Sequence, residues 1–291
     1  MWRRTIRRSQ DLVTSIAATK QGFIDQAFRK TEKGSMYIEQ ARHLHETLLG
    51  VDEPADVLDM GGIREMLVAA SGFSDKGAGH LQKDELDNAL LDVLTKIERA
   101  SGEKWREEIV SRFLLTRGDS FGGMMRNMIG AIASRRFADA VAAAVRARGT
   151  EPQIKMSQNG KVQTIEWPER TCLFDKTPRF IQKNIDVILL RDAWGAGVVL
   201  ENPDCYLACG ELKGGIDPAG ADEHWKTAQS ALDRIRDRFD QTPCLFFVGA
   251  AIELAMAEEI FADLQSGKLT YAANMTVQEQ LSGLAAWLVG L

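Results

Sequence analysis

The spacing of apolar residues changes character near residue 150. Before that point they recur every three or four positions, the period of a helix with one buried face. Over 11–50 this pattern, carried by Leu12, Ile16, Phe23 and Phe28, predicts two helices. A third helical segment is predicted over 57–70, weakened by Gly61-Gly62. The stretch 71–79, rich in Gly and Ser, reads as a loop. The strongest periodicity lies over 81–100, through Leu81, Leu86, Leu90, Leu91, Leu94 and Ile97, and 105–116 continues the helical region. Gly118-Asp119-Ser120 reads as a break. Asp119 or Ser120 would then cap a long helix over 122–148.

Beyond residue 150 the runs shorten and become β-like. Segments 153–156 and 161–167 flank Asn159-Gly160, a strong turn dipeptide, and predict a hairpin. Strands follow over 171–174, 183–190 and 205–213, then a helix over 221–239, a buried strand over 244–249 and helices over 251–264 and 276–289. Helix, hairpin, strand, strand, helix, strand is an αβββαβ order. The expected fold class is therefore α/β, a mixed sheet flanked by helices and preceded by a mostly helical N-terminal region. The expected division is 1–110 and 111–291.

Composition adds bounds. The chain has 291 residues, 45% hydrophobic and 26% charged, which suits one large or two smaller globular domains. No apolar run reaches the roughly 18 residues of a membrane span. The basic start, with Arg3, Arg4, Arg7 and Arg8, is followed by no apolar signal core, so a cytoplasmic protein is expected. Those arginines read either as a frayed, solvated end or as phosphate contacts. His43 and His45 are two apart, cannot share a helix face, and read as surface residues. Cys172, Cys205, Cys209 and Cys244 lie in apolar strand-like runs without zinc-site spacing, and read as reduced core residues. A net charge of −5 argues against a general nucleic-acid coat. It leaves room for a sequence-specific enzyme, which needs only a local basic groove.

The chemistry concentrates at the end of the 205–213 strand, Glu211-Leu212-Lys213, followed by Gly214-Gly215. Alternation along a strand puts Glu211 and Lys213 on one face. The preceding strand carries a lone acid, Asp186. Burying such charges is costly unless a metal or a phosphate uses them. The competing reading is a surface ion pair. An Asp on one strand with Glu-x-Lys on the next resembles the PD-(D/E)xK nuclease core, with Ile185 where the motif usually has proline. In that reading Asp186 and Glu211 hold Mg²⁺, a hard cation that prefers carboxylates and waters, and the Leu212 carbonyl is a third ligand. Lys213 orients or helps deprotonate the attacking water.

A longer block is more specific. Residues 211–226, Glu-Leu-Lys-Gly-Gly-Ile-Asp-Pro-Ala-Gly-Ala-Asp-Glu-His-Trp-Lys, resemble the active-site segment of the AvaI/BsoBI family of type II restriction endonucleases. The resemblance extends to 117–127, 248–253, 256–260 and 264–269, and more weakly to 71–76. It implies Mg²⁺-dependent cleavage of both strands of double-stranded DNA at a short near-palindromic site, leaving 5′-phosphate ends. It further implies a homodimer, because two-fold protein symmetry matches two-fold site symmetry, and a cognate DNA methyltransferase as functional partner. His224 matches an active-site histidine of the family implicated in activating water, as its near-neutral titration allows. The alternative is a helix N-terminal histidine satisfying a backbone group. The resemblance also implies base contacts by Asp217 and Lys76. Their bland counterparts are an Asx turn before Pro218 and a solvated loop charge. Arg126 and Asn127, expected in the first turns of the 122–148 helix, are candidate phosphate contacts. The other function classes to weigh are a PD-(D/E)xK nuclease of DNA repair or recombination that reads DNA structure, and a DNA-binding protein with a relic core.

Overall fold

The computed structural model describes residues 2–191 and 200–291. The chain divides into two compact units, Met1–Asp25 with Asn127–Leu291, and Gln26–Arg126. These limits differ from 1–110 and 111–291. Residues 2–12 are not a frayed end: Ile6 and Leu12 are fully buried in the core of the sheet unit, while Arg3, Arg4, Arg7 and Arg8 stay exposed.

The helical unit contains most of α1 (Ile16–Leu48), α2 (Arg64–Ala70), α3 (Asp75–Ala78), α4 (Lys83–Ser101) and the first half of α5 (Trp105–Arg146). Its core gathers Leu44 and Leu48 from α1, Leu67 from α2, Leu94 and Ile97 from α4, and Trp105, Ile109 and Phe113 from α5. One helix therefore replaces the two expected over 11–50, and Ile16 and Phe28 lie outside the core, 76% and 71% exposed. The segment expected over 57–70 is split into a 3₁₀ turn (Asp56–Asp59) and α2, and Gly62 supplies the left-handed φ of 86° between them. Within the expected 71–79 loop, Ser74 accepts from Gly77 N at 3.0 Å and starts the single turn α3.

Helix α5 runs unbroken through 118–120, so Asp119 and Ser120 are interior positions and cap nothing. A glycine inside a helix costs about 1 kcal/mol relative to alanine. Here each half of the helix is anchored by burial, Ile109 and Phe113 in one unit and Phe137, Val141 and Val145 in the other. Packing of this kind, more than propensity, decides whether a helix forms.

Among the described residues the sheet unit holds a seven-stranded sheet in sequence order. Its strands are β1 (Gln153–Met156), β2 (Val162–Trp167), β3 (Arg170–Lys176), β4 (Ile185–Arg191), β5 (Tyr206–Lys213), β6 (Cys244–Gly249) and β7 (Tyr271–Asn274). β1 to β5 pair antiparallel; β5, β6 and β7 pair parallel. The hairpin turns at Gly160, φ 72°. The crossovers after β5 and β6 are α6 (Ala221–Arg236) and α7 (Leu254–Ser266), and α8 (Gln278–Leu288) closes the chain. Strand β7 falls outside the sequence expectation.

Alternation along the strands builds two cores. Val187 and Leu189 of β4, Ala208 and Leu212 of β5 and Phe246 and Val248 of β6 pack with α5 and α8. Ile188, Leu190, Cys209, Leu245 and Phe247 pack with α6 and α7. Cys172 and Cys209 are buried and Cys205 and Cys244 half-buried, all four as free thiols. No helix among the described residues is long and apolar enough to cross a membrane.

Candidate active site

The same alternation sorts the polar residues at the strand ends. Asp186 shares the parity of Ile188 and Leu190, and Glu211 and Lys213 share that of Cys209, so all three project toward the α6 face. The β4–β5 register pairs Val187 with Gly210, and its continuation sets Asp186 opposite Glu211. Gly210 is required on the opposite face: a Cβ there would stand 2.2 Å from the ring of Phe246.

Asp186 Oδ2 accepts from Leu212 N at 2.8 Å, and Asn184 Nδ2 reaches Asp186 Oδ1 at 3.5 Å. Lys213 Nζ lies 3.1 Å from Glu211 Oε2 and 3.8 Å from Asp186 Oδ2. Glu211 is only 4% exposed. Burial, with the Asp186 charge beside it, pushes its carboxyl up to about 7, although Lys213 opposes the shift. Burial also raises Asp186, against the pull of Lys213 and of the Leu212 N–H. Two carboxylates this close, with one ammonium between them, are under-compensated, which is the donor set a divalent cation relieves. Among the described residues no three His, Cys, Asp or Glu side chains converge on one point. A cation here would thus be held by two carboxylates with carbonyl and water oxygens, a set that fits Mg²⁺.

Asp175 is a member of this neighbourhood that sequence reasoning missed. It lies between the pairs Phe174–Val187 and Lys176–Ile185, opposite Asp186, with a left-handed φ of 51°, and its charge contributes to raising Asp186. Only the β3–β4 register, invisible in the sequence, brings it there.

The loop leaving β5 is fixed at each step. A Cβ at Gly214 would stand 2.4 Å from Ala133 of α5, and Ile216 is buried against Gly22 of α1. Asp217 Oδ1 accepts from Ala219 N at 3.0 Å and caps the 3₁₀ turn Pro218–Gly220, while Asp217 itself stays exposed. The His224 ring of α6 lies over this loop, its Nε2 3.4 Å from where a Cβ would stand at either Gly215 or Gly220. The start of α6 is clamped to α7: Trp225 Nε1 and Lys226 Nζ donate to Glu259 at 2.8 and 2.9 Å. Lys226, then Trp225, hold the Glu259 carboxyl below its usual range.

The remaining expected residues lie elsewhere in the chain. Lys76 is exposed on α3 of the helical unit, next to Asp75, whose carboxylate pairs with Arg117 Nη1 at 3.2 Å. Arg126 and Asn127 are exposed in the middle of α5, not in its first turns, because that helix starts at Trp105. A groove of about 820 Å³ between α5 and α8, lined by Met128, Ile132, Ala143 and Leu281, lies on the other face of the sheet from the carboxylates.

Residues 2–291 match the family model described as "Restriction endonuclease BsobI". The type II restriction enzyme AvaI of Nostoc sp. is 41% identical to this chain over 98% of each. The type II restriction enzyme BsoBI of Geobacillus stearothermophilus is 35% identical, over 98% of this chain and 97% of its own. With the matched region running through β4, β5 and α6, the chain belongs to the BsobI restriction endonuclease family.

Proposed function

We propose that the chain is a type II enzyme that hydrolyses phosphodiester bonds in both strands of double-stranded DNA at a short near-palindromic site. It leaves 5′-phosphate ends and depends on Mg²⁺. The observation that carries this reading is the gathering of Asp186, Glu211 and Lys213 at the ends of adjacent strands, with Lys213 Nζ within 4 Å of both carboxylates. Asp186, Glu211 and the Leu212 carbonyl are the proposed cation ligands. When bound, the cation supplies a Lewis acid at a non-bridging phosphate oxygen and lowers the pKa of a bound water.

The chain's own groups do the rest. Lys213 orients the attacking water and offsets charge developing on the phosphate. The His224 imidazole takes the proton of that water as general base. Asp217 and Lys76 read base edges, the one as acceptor and the other as donor. Arg126 and Asn127 contact phosphates, which position DNA without reading it. The helical N-terminal region serves as a DNA clasp. Cutting both strands requires two such sites, which a homodimer supplies with the symmetry of its DNA site. The enzyme works in the cytoplasm beside a DNA methyltransferase that protects host sites.

Incubating the protein with plasmid DNA and Mg²⁺ tests the reading. Discrete fragments with common ends are expected. Nicks confined to branched or damaged DNA would replace it with a repair or recombination nuclease, and no cleavage would leave a DNA-binding relic.

A further inference from the structure

We infer that Thr14 and Asn274 are positioning residues for Lys213, an inference that rests on the catalytic reading of Lys213 above. Lys213, Gly249 and Asn274 sit in one row across the carboxyl ends of the parallel strands β5, β6 and β7. Backbone groups past a strand end have lost their ladder partners and must find others. Here the partners form a continuous chain. Ala250 N donates to Lys213 O at 2.8 Å. Ala250 O accepts from Thr14 Oγ1 at 2.8 Å. The same hydroxyl accepts from Ile252 N at 2.9 Å and from Asn274 Nδ2 at 2.8 Å. One donor and two acceptor sites are all a threonine hydroxyl has, and each is used.

Asn274 is equally saturated. Its Nδ2 also donates to Leu12 O at 2.8 Å, and its Oδ1 accepts from Thr276 N and Oγ1 at 2.8 and 2.6 Å. Gln280 Oε1 accepts from Asn274 N at 2.8 Å, and Gln280 Nε2 donates to Asp11 O at 2.6 Å. Thr14, Asn274 and Gln280 are 8%, 0% and 2% exposed, so water cannot replace a lost partner. Buried networks are rigid when every member is satisfied and costly when one is not. This one is assembled from three distant stretches of chain, and it closes on the carbonyl of the residue whose ammonium sits between the two carboxylates. A displacement of about 1 Å at a reacting group can slow an enzyme by roughly 10²-fold.

The test uses the full chain with Thr14→Val, which keeps the volume and removes the hydroxyl, and Thr14→Ser, which keeps the hydroxyl. Single-turnover cleavage of plasmid DNA with Mg²⁺, DNA binding with Ca²⁺ and thermal unfolding are measured for each. Thr14→Val should cut at least about tenfold more slowly well below its melting temperature, with DNA binding within about twofold of wild type. Thr14→Ser should stay within about threefold of the wild-type rate despite the methyl cavity it leaves. A valine variant that cuts at the wild-type rate, or rates that only follow melting temperature, overturns the inference. Amide exchange of the wild-type protein needs neither variant nor cleavage. Ala250 and Ile252 N–H should exchange as slowly as the amides of β5 and β6, and fast local exchange overturns the clamp even in an active enzyme. Slow exchange in a protein that cuts no DNA would retain the clamp and remove the nuclease reading instead.

Discussion

Asp186 and Leu212 are joined side chain to backbone: Asp186 Oδ2 accepts from Leu212 N at 2.8 Å, just past Val187–Gly210, the final ladder pair at that end of β4 and β5. The carboxylate thus takes over where the ladder stops, and it ties the acid of one strand to the Glu-x-Lys of the next. One oxygen is spent on geometry, and Oδ1, with Asn184 Nδ2 at 3.5 Å, keeps capacity for a ligand.

Asp186→Asn separates these two jobs. The amide oxygen can still accept from Leu212, and a like charge beside Glu211 is removed. The variant should therefore melt no lower than the wild type without metal. Its DNA cleavage should fall by roughly 10³-fold or more, the several kcal/mol that a correctly held metal contributes. Cleavage near the wild-type rate would move the metal site elsewhere.

The pH dependence of the metal-free protein follows mainly from Glu211, with Asp186, raised by the same burial, adding in the same direction. The folded pKa of Glu211, about 7, lies above the ordinary carboxylate value of 4.5. Between those values the folded state holds more protons than the unfolded chain, so stability falls as pH rises from 4.5 to 7 and levels above. The full span is on the order of 3 kcal/mol. At the proposed site Mg²⁺ would have to displace that proton below pH 7, so added Mg²⁺ should stabilise more at pH 8 than at pH 6. Denaturant titrations across this range, with Glu211→Gln as control, provide the check. A slope that survives undiminished in the glutamine variant would belong to Asp186 or another group.

Gly210→Ala probes the core beneath the site. The Phe246 ring it would strike is fully buried, stacked on Phe137 at 5.8 Å and edge-on to Trp287 at 6.1 Å. With no direction to retreat, overpacking should cost about 1–3 kcal/mol. Urea unfolding measures it, and a loss below about 0.5 kcal/mol would mean that the strand moves instead of the ring.

How much of this was legible in the sequence differs by kind of information. Local signals held: Asn159-Gly160 turns a hairpin, 244–249 is a strand with the expected ends, and Glu-x-Lys parity puts Glu211 and Lys213 within contact of each other. Signals read as stops failed where burial outweighed them, as at Gly118-Asp119-Ser120 inside α5. Apolar residues read as core failed where α1 turns them outward, as at Phe28. Long-range facts had no local mark. Asp175 comes opposite Asp186 only through strand register, and Thr14 meets Asn274 across 260 positions.

His224 can be tested by cleavage kinetics and DNA binding. The residue is exposed, and it only approaches the loop beside Gly215 and Gly220, so His224→Ala should fold normally. As general base it should contribute roughly 10²-fold or more to the single-turnover rate. DNA binding with Ca²⁺ should stay within about twofold of wild type, so that the loss falls on the chemical step. A small rate loss would make His224 a packing residue of the loop.

Under the proposed function, specificity requires side chains that reach bases, because Asp186, Glu211 and Lys213 would touch only phosphate and water. Asp217, the proposed base reader, is held by three fixed points: Gly214 against α5, Ile216 beneath Gly22, and its own cap on Ala219. The cap uses Oδ1, and Oδ2 of this exposed residue keeps capacity to accept. An acceptor selects a base that offers a donor, such as the cytosine N4 amino group. Asp217→Asn is the sharper probe than Asp217→Ala. Asparagine can keep the Ala219 cap while replacing the remaining acceptor with a donor, so loop shape is held constant as the recognition chemistry inverts. It should cost about 1–3 kcal/mol at the preferred site and much less at sites altered in the base pair it reads. Removing Arg126, a proposed phosphate contact, should instead weaken every site alike and reduce the salt dependence. Cleavage rates on the preferred site and all its single-base variants distinguish the two patterns. Equal losses at every site in the asparagine variant would leave Asp217 as a turn former, and the reading of bases would have to be sought elsewhere.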